Sequence, residues 1–227
     1  MSIMEAKDVH YAYRSKYRTV RAVNGVDYSF SFGKLYAIVG KSGSGKTTFL
    51  SMLAGLDLPT KGDVLFGGES TRTIDRDRLR RDSIAVIYQN YNLFPLFTAL
   101  ENAMYPIKMK KLPTKKVKQA AKEKLRSVGL GEECFCRFPA MLSGGEQQRV
   151  AIARALAGNA KVILADEPTG NLDTENGKNI VAILKRLAHE ENRCVIVVTH
   201  DLAIAGETDE VLRMKDGRIE GAEPADL

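Results

Sequence analysis

The chain has 227 residues, of which 44% are hydrophobic, and a formal net charge of +6, which is typical of one α/β domain with its own core and excludes a disordered chain. No apolar run reaches the ~18 residues that a membrane-spanning helix needs, and the start M-S-I-M-E-A-K-D has no signal-peptide core, so we expect neither feature. The three cysteines are too few for a disulfide framework and favour a reducing cytoplasm.

Strand-like patterns occur towards both ends of the chain. Residues of about 1–35 and 62–70 alternate between polar and apolar types, which predicts antiparallel strands. Leu35–Val39, Val162–Ala165 and Cys194–Thr199 are continuous apolar runs, which indicate strands buried on both faces of a parallel sheet.

Helix-like patterns follow the first buried run and dominate the middle of the chain. One extends from Lys46 to about Ala54, and another from about Glu175 to Ala188. Residues 90–159 are rich in helix formers. The expected fold class is α/β, with a mostly parallel core sheet and an antiparallel β part formed by residues 1–89 and 160–227, and an inserted helical subdomain at 90–159.

A phosphate-binding loop follows the first buried strand. Gly40–Thr47 reads G-K-S-G-S-G-K-T, a full match to G-x-x-x-x-G-K-[ST] between a strand and a helix. The glycines let successive N–H groups face a phosphate, and the helix N-terminus adds positive charge. Lys46 is expected to contact the β- and γ-phosphates, and Thr47 to bind Mg²⁺. The predicted nucleotide contacts here are Gly40, Lys41, Ser42, Gly43, Ser44, Gly45, Lys46, Thr47 and Thr48.

Two acidic residues end the second buried run, which reads V-I-L-A-D-E. This pattern predicts Asp166 at the carboxyl edge of the sheet, where ligands of open α/β sheets bind. Asp166 is expected to hold Mg²⁺, and Glu167 to polarise an attacking water. The chain contains no N-K-x-D motif, which argues against a small GTPase.

A second glycine-rich motif, L-S-G-G-E at Leu142–Glu146, is followed by Q-Q-R-V-A-I-A-R-A-L. With the phosphate loop, this closely resembles the ATPase subunit of ABC transporters, over essentially the whole chain. The resemblance implies the P-loop NTPase fold of that family, ATP and Mg²⁺ as ligands, and ATP hydrolysis coupled to transport. It assigns Glu167 as the catalytic base, His200 as the switch histidine, and Gln89 as the Q-loop glutamine that also contacts Mg²⁺; Lys46 completes the expected catalytic set.

The same resemblance implies a shared active site. The L-S-G-G-E motif at Leu142–Glu146 corresponds to the signature of that family, and its Ser143, Gly144 and Gly145 form a second anion-binding helix N-terminus. In the family each ATP lies between one chain's phosphate loop and the partner's signature, so that a head-to-tail homodimer encloses two ATP molecules. Tyr13 is expected to stack on adenine, with Tyr11 as the alternative. The remaining expected nucleotide contacts are Tyr13, Gln89, Ser143, Gly144, Gly145, Glu146 and Asp173.

A narrower resemblance is carried by Gly55–Val64, Asn92–Asn102 and Asp166–Asp173. These segments are similar to the branch of macrolide-export (MacB), lipoprotein-release (LolD), cell-division (FtsE) and peptide-antibiotic resistance ATPases. The branch implies a separate membrane permease, which we expect to dock near Asn90–Glu101, and a peripheral location on the cytoplasmic face of the membrane. Tyr88, where the branch usually has Phe, leaves the substrate open.

The positive charge is concentrated in Lys108–Arg126, which contains nine bases and one acid, Glu123. Its first interpretation is a solvated helix face, with Val117, Ala121 and Leu125 turned inward. Its second is contact with anionic lipid beside a permease. Nucleic acid is the third choice and is not expected, because aromatic residues are absent through this stretch.

Two other functions share this cassette. ABC ATPases that act on DNA or ribosomes carry a long coiled coil or two cassettes, and this chain has neither. An ABC ATPase that regulates cell-envelope enzymes without transport stays open, as does the direction of transport. The sequence predicts that Cys134 and Cys136 are incidental loop thiols and that His10 and His189 lie on the surface.

Overall fold

The computed structural model describes residues 2–15, 17–109 and 112–225. In chain order its strands and helices are β1 (Ser2–Arg14), β2 (Thr19–Ser31), β3 (Leu35–Val39), α1 (Lys46–Leu53), β4 (Lys61–Phe66), β5 (Glu69–Ser70), α2 (Arg76–Asp82), β6 (Ile84–Ile87), α3 (Ala99–Lys108), α4 (Thr114–Ser127), α5 (Gly144–Ala157), β7 (Val162–Asp166), α6 (Thr174–His189), β8 (Cys194–Thr199), α7 (Leu202–Ala205), β9 (Glu210–Lys215) and β10 (Arg218–Pro224). Short 3-10 helices at Glu132–Cys134 and Pro139–Met141 join α4 to α5. Among the described residues, none of these helices is long and apolar enough to cross a membrane.

The strands form two sheets. One is antiparallel in the order β2-β1-β4-β5, as the alternating N-terminal pattern predicts. The other has the order β10-β9-β3-β8-β7-β6 and is parallel except for β10, which pairs antiparallel with β9 at the edge. The three predicted buried strands are β3, β7 and β8 of this core sheet, and β3 and β8 are buried at every residue.

Apolar side chains cover both faces of the core sheet. On one face, α1 and the antiparallel sheet pack against it, with Phe30, Tyr36 and Phe49 in one continuous cluster. On the other face, α3, α4, α5 and α6 contribute to a second cluster, which includes Leu125, Leu156 and the sheet residues of alternate register. Because a parallel sheet covered on both sides exposes only its strand ends, the carboxyl edge is where a site can open.

The middle of the chain is helical, as expected, and two of its helices begin in the same way. Thr98 caps α3 and Ser143 caps α5, and in each a glutamate three residues on, Glu101 or Glu146, bonds back to the cap residue. Such capping boxes satisfy backbone N–H groups that a helix otherwise leaves without partners. The predicted limits of the subdomain, 90–159, stay a prediction.

Candidate nucleotide site

A cleft of about 690 Å³ opens at the carboxyl edge of the core sheet. The β3/β8 and β7/β8 registers align the ends of these strands, so the segments that follow them meet. Eleven predicted site residues line it: Tyr13, Ser42, Gly43, Gly45, Lys46, Thr47, Thr48, Gln89, Asp166, Glu167 and His200. Val20, Arg21 and Ala22 of β2 also line it, although no motif in the sequence marks them.

The phosphate loop approaches its neighbours so closely that two positions require glycine. A Cβ on Gly40 would lie 2.2 Å from the carbonyl oxygen of Met214, and one on Gly45 would lie 2.0 Å from that of Ala22. Gly45 also has φ +103°, in the left-handed region that side chains disfavour. Ala22 thus contributes to the cleft through its backbone, a role that residue type does not reveal.

Lys46, the first residue of α1, turns back over the loop that precedes it. Its Nζ donates to the carbonyl oxygens of Gly40 at 2.7 Å and Lys41 at 3.0 Å, and only 7% of the residue is exposed. Behind it, the buried Oγ of Ser44 has no hydrogen-bond partner among the described residues. The Lys46 ammonium, the Ser44 hydroxyl and the backbone N–H groups of the loop together form a site that suits an anion.

Thr47 and Asp166 meet at the floor of the cleft, where the Thr47 hydroxyl donates to Asp166 Oδ1 at 3.2 Å. Burial raises the pKa of Asp166, the nearby charge of Glu167 adds to this, and the Thr47 bond opposes it. Two adjacent oxygen ligands suit Mg²⁺, which takes one or two protein carboxylates and completes its shell with phosphates and water. In the part of the chain that the structure describes, no group of three or more His, Cys, Asp or Glu residues could hold a metal alone.

Glu167 stands between the ends of β7 and β8. Its Oε1 lies 2.9 Å from His200 Nδ1, and its Oε2 accepts a bond of 3.3 Å from the Thr199 hydroxyl. Its backbone has φ +47°, which is rare for a residue with a side chain and costs about 1–3 kcal/mol. The carboxylate faces the histidine, whose side chain is 70% exposed and lines the cleft.

Gln89 lies two residues beyond the end of β6, and its amide reaches the loop that follows Glu167. A Cβ on Gly170 would lie 2.9 Å from Gln89 Nε2. Asn171 Nδ2 donates to the Gln89 carbonyl oxygen at 3.0 Å. The segment after β6 and the segment after β7 are therefore held together at the cleft.

Tyr13, near the end of β1, forms one lip of the cleft. It is half exposed, and its hydroxyl lies 3.1 Å from Thr48 Oγ1 on α1. Tyr11 packs edge-on against it with ring centroids 5.0 Å apart, and it does not line the cleft. Of the two tyrosines, Tyr13 is the one that lines the cleft, and its stacking on a base stays a prediction.

The signature residues do not line this cleft. Ser143 is exposed at the start of α5, where its Oγ accepts from the Glu146 N–H at 3.3 Å, and its own N–H donates to Glu146 Oε2 at 2.7 Å. The N–H of Ser143 holds the pKa of Glu146 below its usual range, and the Cys134 thiol adds to this. Gly145 is buried, and a Cβ there would lie 2.5 Å from Asn176 Oδ1 on α6.

Asp173 caps α6 and lies in a second cleft, of about 610 Å³, between α6 and α7. Asn176 N donates to Asp173 Oδ1 and its amide donates to Oδ2, both at 2.8 Å, and this bonding lowers the pKa of Asp173. Because Asn176 also lies against Gly145 of the signature, its side chain links Asp173 to Gly145. Neither Asp173 nor Gly145 lines the cleft that contains the phosphate loop.

Cys134 is not an incidental loop thiol, which corrects the sequence interpretation. It is buried in a 3-10 helix, and its Sγ donates to Glu146 Oε1 at 3.1 Å. Burial and the bond to Glu146 raise its pKa to about 11. Cys136 is exposed and lies in a turn, which agrees with a loop thiol. The sequence spacing of 12 residues gave no sign that this thiol supports the signature helix.

Comparison with known proteins decides the family. The family model described as ABC transporter matches residues 23–170, which span the phosphate loop, the signature and the acidic strand end. The chain belongs to the ABC transporter family. It is an ABC-type ATPase subunit that binds ATP and hydrolyses it.

Relatives and solved structures resemble this ABC ATPase over nearly its full length. It is 46% identical to an uncharacterized ABC transporter ATP-binding protein of Thermotoga maritima over 97% of this chain and 95% of the relative. It is 42% identical to the lipoprotein-releasing system ATP-binding protein LolD of Syntrophotalea carbinolica over 97% and 98% of the two chains.

Two solved structures of the MJ0796 cassette, a protein of Methanocaldococcus jannaschii, each match with a TM-score of 0.92 and 38% identity over 99% of both chains. One is described as dimeric, and the other as a dimeric post-hydrolysis state bound to ADP and Pi. The ABC ATPase therefore has the fold that the sequence predicts, with its antiparallel sheet and parallel core sheet.

Proposed function

We propose that this ABC ATPase binds ATP with Mg²⁺ in the 690 Å³ cleft, closes as a head-to-tail homodimer around two ATP molecules, and drives a separate membrane permease. The observation that carries the proposal is the separation of two anion-binding elements. The phosphate loop lines the cleft, whereas the exposed start of α5 at Ser143 lies outside it. One chain thus offers two halves of a site that a second copy completes.

The phosphate-binding roles follow from the loop geometry. Lys46 exchanges its bonds to loop carbonyls for the β- and γ-phosphates, and the loop N–H groups and the Ser44 hydroxyl bind the phosphate oxygens. Thr47, Asp166 and Gln89 are the residues that would hold Mg²⁺, whose chemistry is to neutralise charge on the transferred phosphoryl group. Tyr13 stacks on the adenine, because its ring forms the lip of the cleft.

Glu167 is the proposed catalytic base. Its carboxylate is oriented by Thr199 and His200, faces the cleft, and can accept the proton of a water that attacks the γ-phosphate. His200 is exposed enough to donate a hydrogen bond to that phosphate. Gln89 would contact the γ-phosphate position as well. Its bond with Asn171 joins the segment after β6 to the segment after β7.

The proposed dimer brings the partner's signature to each ATP. Ser143 keeps its hydroxyl hydrogen for a phosphate, because its oxygen accepts from Glu146, and Gly144 and Gly145 offer N–H groups at the α5 N-terminus. Asp173, through Asn176, supports that helix start. The dimeric MJ0796 structures, including the one bound to ADP and Pi, support this arrangement.

The proposed permease-docking segment is 90–101, which follows Gln89 directly. Leu96 is 84% exposed, and the rings of Phe94 and Phe97 pack together with centroids 5.2 Å apart, also exposed. Clustered exposed apolar side chains mark an interaction surface. Arg154 of α5 donates to the Tyr91 and Asn92 carbonyls at 3.1 and 2.7 Å and so ties this segment to the signature helix.

This docking makes the protein peripheral to the cytoplasmic face of the membrane. The similarity to a lipoprotein-releasing ATPase supports work on substrates that the permease extracts or exports, or force transmission to it. In either case, the conformational changes that accompany ATP hydrolysis would reach the permease through the docking segment.

Glu167→Gln tests the proposal directly. The amide keeps the shape of the side chain but cannot take a proton, so the variant should bind ATP, lose hydrolysis and accumulate as a dimer. Size-exclusion chromatography with ATP and Mg²⁺, beside a phosphate-release assay, measures both effects. Glu69→Gln, on the surface strand β5, is the matched control and should behave as wild type. A variant that stays monomeric and turns ATP over would overturn the base assignment.

A further inference from the structure

One flank of α4 carries a row of lysines that outnumber the acids beside them. Lys115, Lys118 and Lys122 follow one another at i, i+3 and i+7, so they lie along one side of the helix, next to its buried side. We name these three residues the basic ridge. Within the described residues none of them makes an ion pair, whereas Arg126, one turn on, pairs with Glu132. A shallow groove of about 570 Å³ runs beside them, lined by four lysines and one acid, Glu123, of the helix.

The basic ridge does not serve the stability of its own helix. The first turn of α4 holds no acid, its cap residue is Pro113 and forms no side-chain cap, and Lys115 and Lys116 stand at the positive end of the helix dipole. Like charges at i and i+3 or i+4 also repel one another. In contrast, α3 and α5 begin with capping boxes and a glutamate. The charge therefore points to a partner outside the chain.

Exposed apolar residues connect the basic ridge with the proposed docking segment. The Tyr105 ring on α3 lies 4.8 Å from that of Phe94, and Met109 follows on the same face one turn later. Tyr105, Met109 and Leu112 are 43%, 57% and 48% exposed. Two further lysines of the predicted basic segment, Lys110 and Lys111, lie outside the described residues. Bases beside exposed aromatic and aliphatic side chains are typical of surfaces that rest on a bilayer.

We infer that the basic ridge and the neighbouring Tyr105, Met109 and Leu112 bind the anionic phospholipid headgroups that surround the permease. This inference rests on the proposed function, because docking at 90–101 brings α3 and α4 to the membrane. The bases bind headgroup phosphates, and the apolar side chains enter the headgroup layer. Nucleic acid fits less well, because α4 contains no aromatic residue for stacking on bases.

Flotation of the full-length protein with lipid vesicles tests the inference. We expect binding to phosphatidylcholine vesicles that contain phosphatidylglycerol, none to phosphatidylcholine alone, and release by salt. Lys115→Gln/Lys118→Gln/Lys122→Gln should bind about a hundredfold more weakly. The matched control is Lys7→Gln/Lys161→Gln/Lys215→Gln, which removes the same charge from exposed sites outside the helical segment and should bind as wild type. Met109→Ser should weaken binding without altering the charge.

Three outcomes would overturn the inference: equal binding to neutral vesicles, an equal loss in the control variant, and tighter binding to an RNA or acidic-peptide probe than to anionic vesicles. ATP hydrolysis and ATP-dependent dimerisation are measured on the same samples. If the wild-type protein hydrolyses ATP and dimerises but does not bind anionic vesicles, the lipid surface is rejected and the proposed ATPase cycle is not. Normal vesicle binding by a Glu167→Gln protein that neither dimerises nor stalls rejects the proposed ATPase cycle instead.

Discussion

Glu167 and His200 face each other across the ends of two parallel strands, with Oε1 and Nδ1 2.9 Å apart although 33 residues separate them in the chain. The pairing of Asp166 with Val198 in the β7/β8 register sets this relationship, because the residues that follow the two strands then lie side by side at the same edge of the sheet. The buried Thr199 holds the other carboxylate oxygen. The two proposed catalytic groups are therefore positioned by the sheet and not by a flexible loop alone.

His200→Ala should reduce kcat by about a hundredfold or more, since the variant loses the group that bonds to Glu167 and that we propose to contact the γ-phosphate. ATP affinity should change little, because the proposed phosphate contacts come mostly from Lys46 and the loop N–H groups. Steady-state hydrolysis and equilibrium binding of a fluorescent ATP analogue separate the two quantities. His189→Ala is the control, because His189 pairs with Asp209 at the far end of the sheet. Hydrolysis at the wild-type rate in His200→Ala would contradict the proposed role.

Lys46→Ala should abolish detectable ATP binding. The ammonium is the one buried cation in the phosphate loop, and without it the Gly40 and Lys41 carbonyls would face the phosphates uncompensated. Lys161→Ala changes an exposed lysine at the opposite end of β7 and should leave binding intact. Isothermal titration with ATP and Mg²⁺ measures both, and undiminished affinity in Lys46→Ala would contradict the assignment.

Sequence predicted the core of this fold well for a physical reason. A strand covered on both faces needs apolar residues at every position, so β3 and β8 are visible as continuous runs. The edge hairpin β9–β10 is half exposed and mixes Arg, Lys and Glu with apolar residues, and the sequence analysis did not predict it. Helix α2 was not predicted either, because it is short and mostly charged and buries one residue, Leu79, so it has no apolar periodicity.

The phosphate loop and the acidic strand end were equally visible, because phosphate chemistry dictates their residue types. Ala22 was not, because it acts through a backbone carbonyl that contacts Gly45. The left-handed backbone of Glu167 and the thiol contact of Cys134 with Glu146 depend on tertiary neighbours, which leave no local pattern. Residue types thus predicted most of the side chains that line the cleft, and the fold was needed to find the groups that contact them.

Tyr13→Ala should weaken ATP binding by about 1–3 kcal/mol, the usual contribution of one base–aromatic stack. Tyr13→Phe is the matched control: it keeps the ring and loses only the exposed bond to Thr48, so its affinity should stay close to wild type. Because stacking does not read base identity, GTP should be hydrolysed at a rate comparable with ATP. A strict preference for ATP, or equal loss in both variants, would show that other contacts hold the base.

Native alkylation should distinguish the three cysteines and test the support of the signature helix. Iodoacetamide reacts with the thiolate, and burial raises the pKa of Cys134 to about 11 and that of Cys194 to about 12, so both stay protonated near pH ~8. Mass spectrometry should find modification at the exposed Cys136 alone, and at all three residues in urea. Cys134→Ser, which can still donate to Glu146, should keep ATP-dependent dimerisation better than Cys134→Ala. Rapid labelling of Cys134 in the native protein would mean that its contact with Glu146 opens and does not hold the signature.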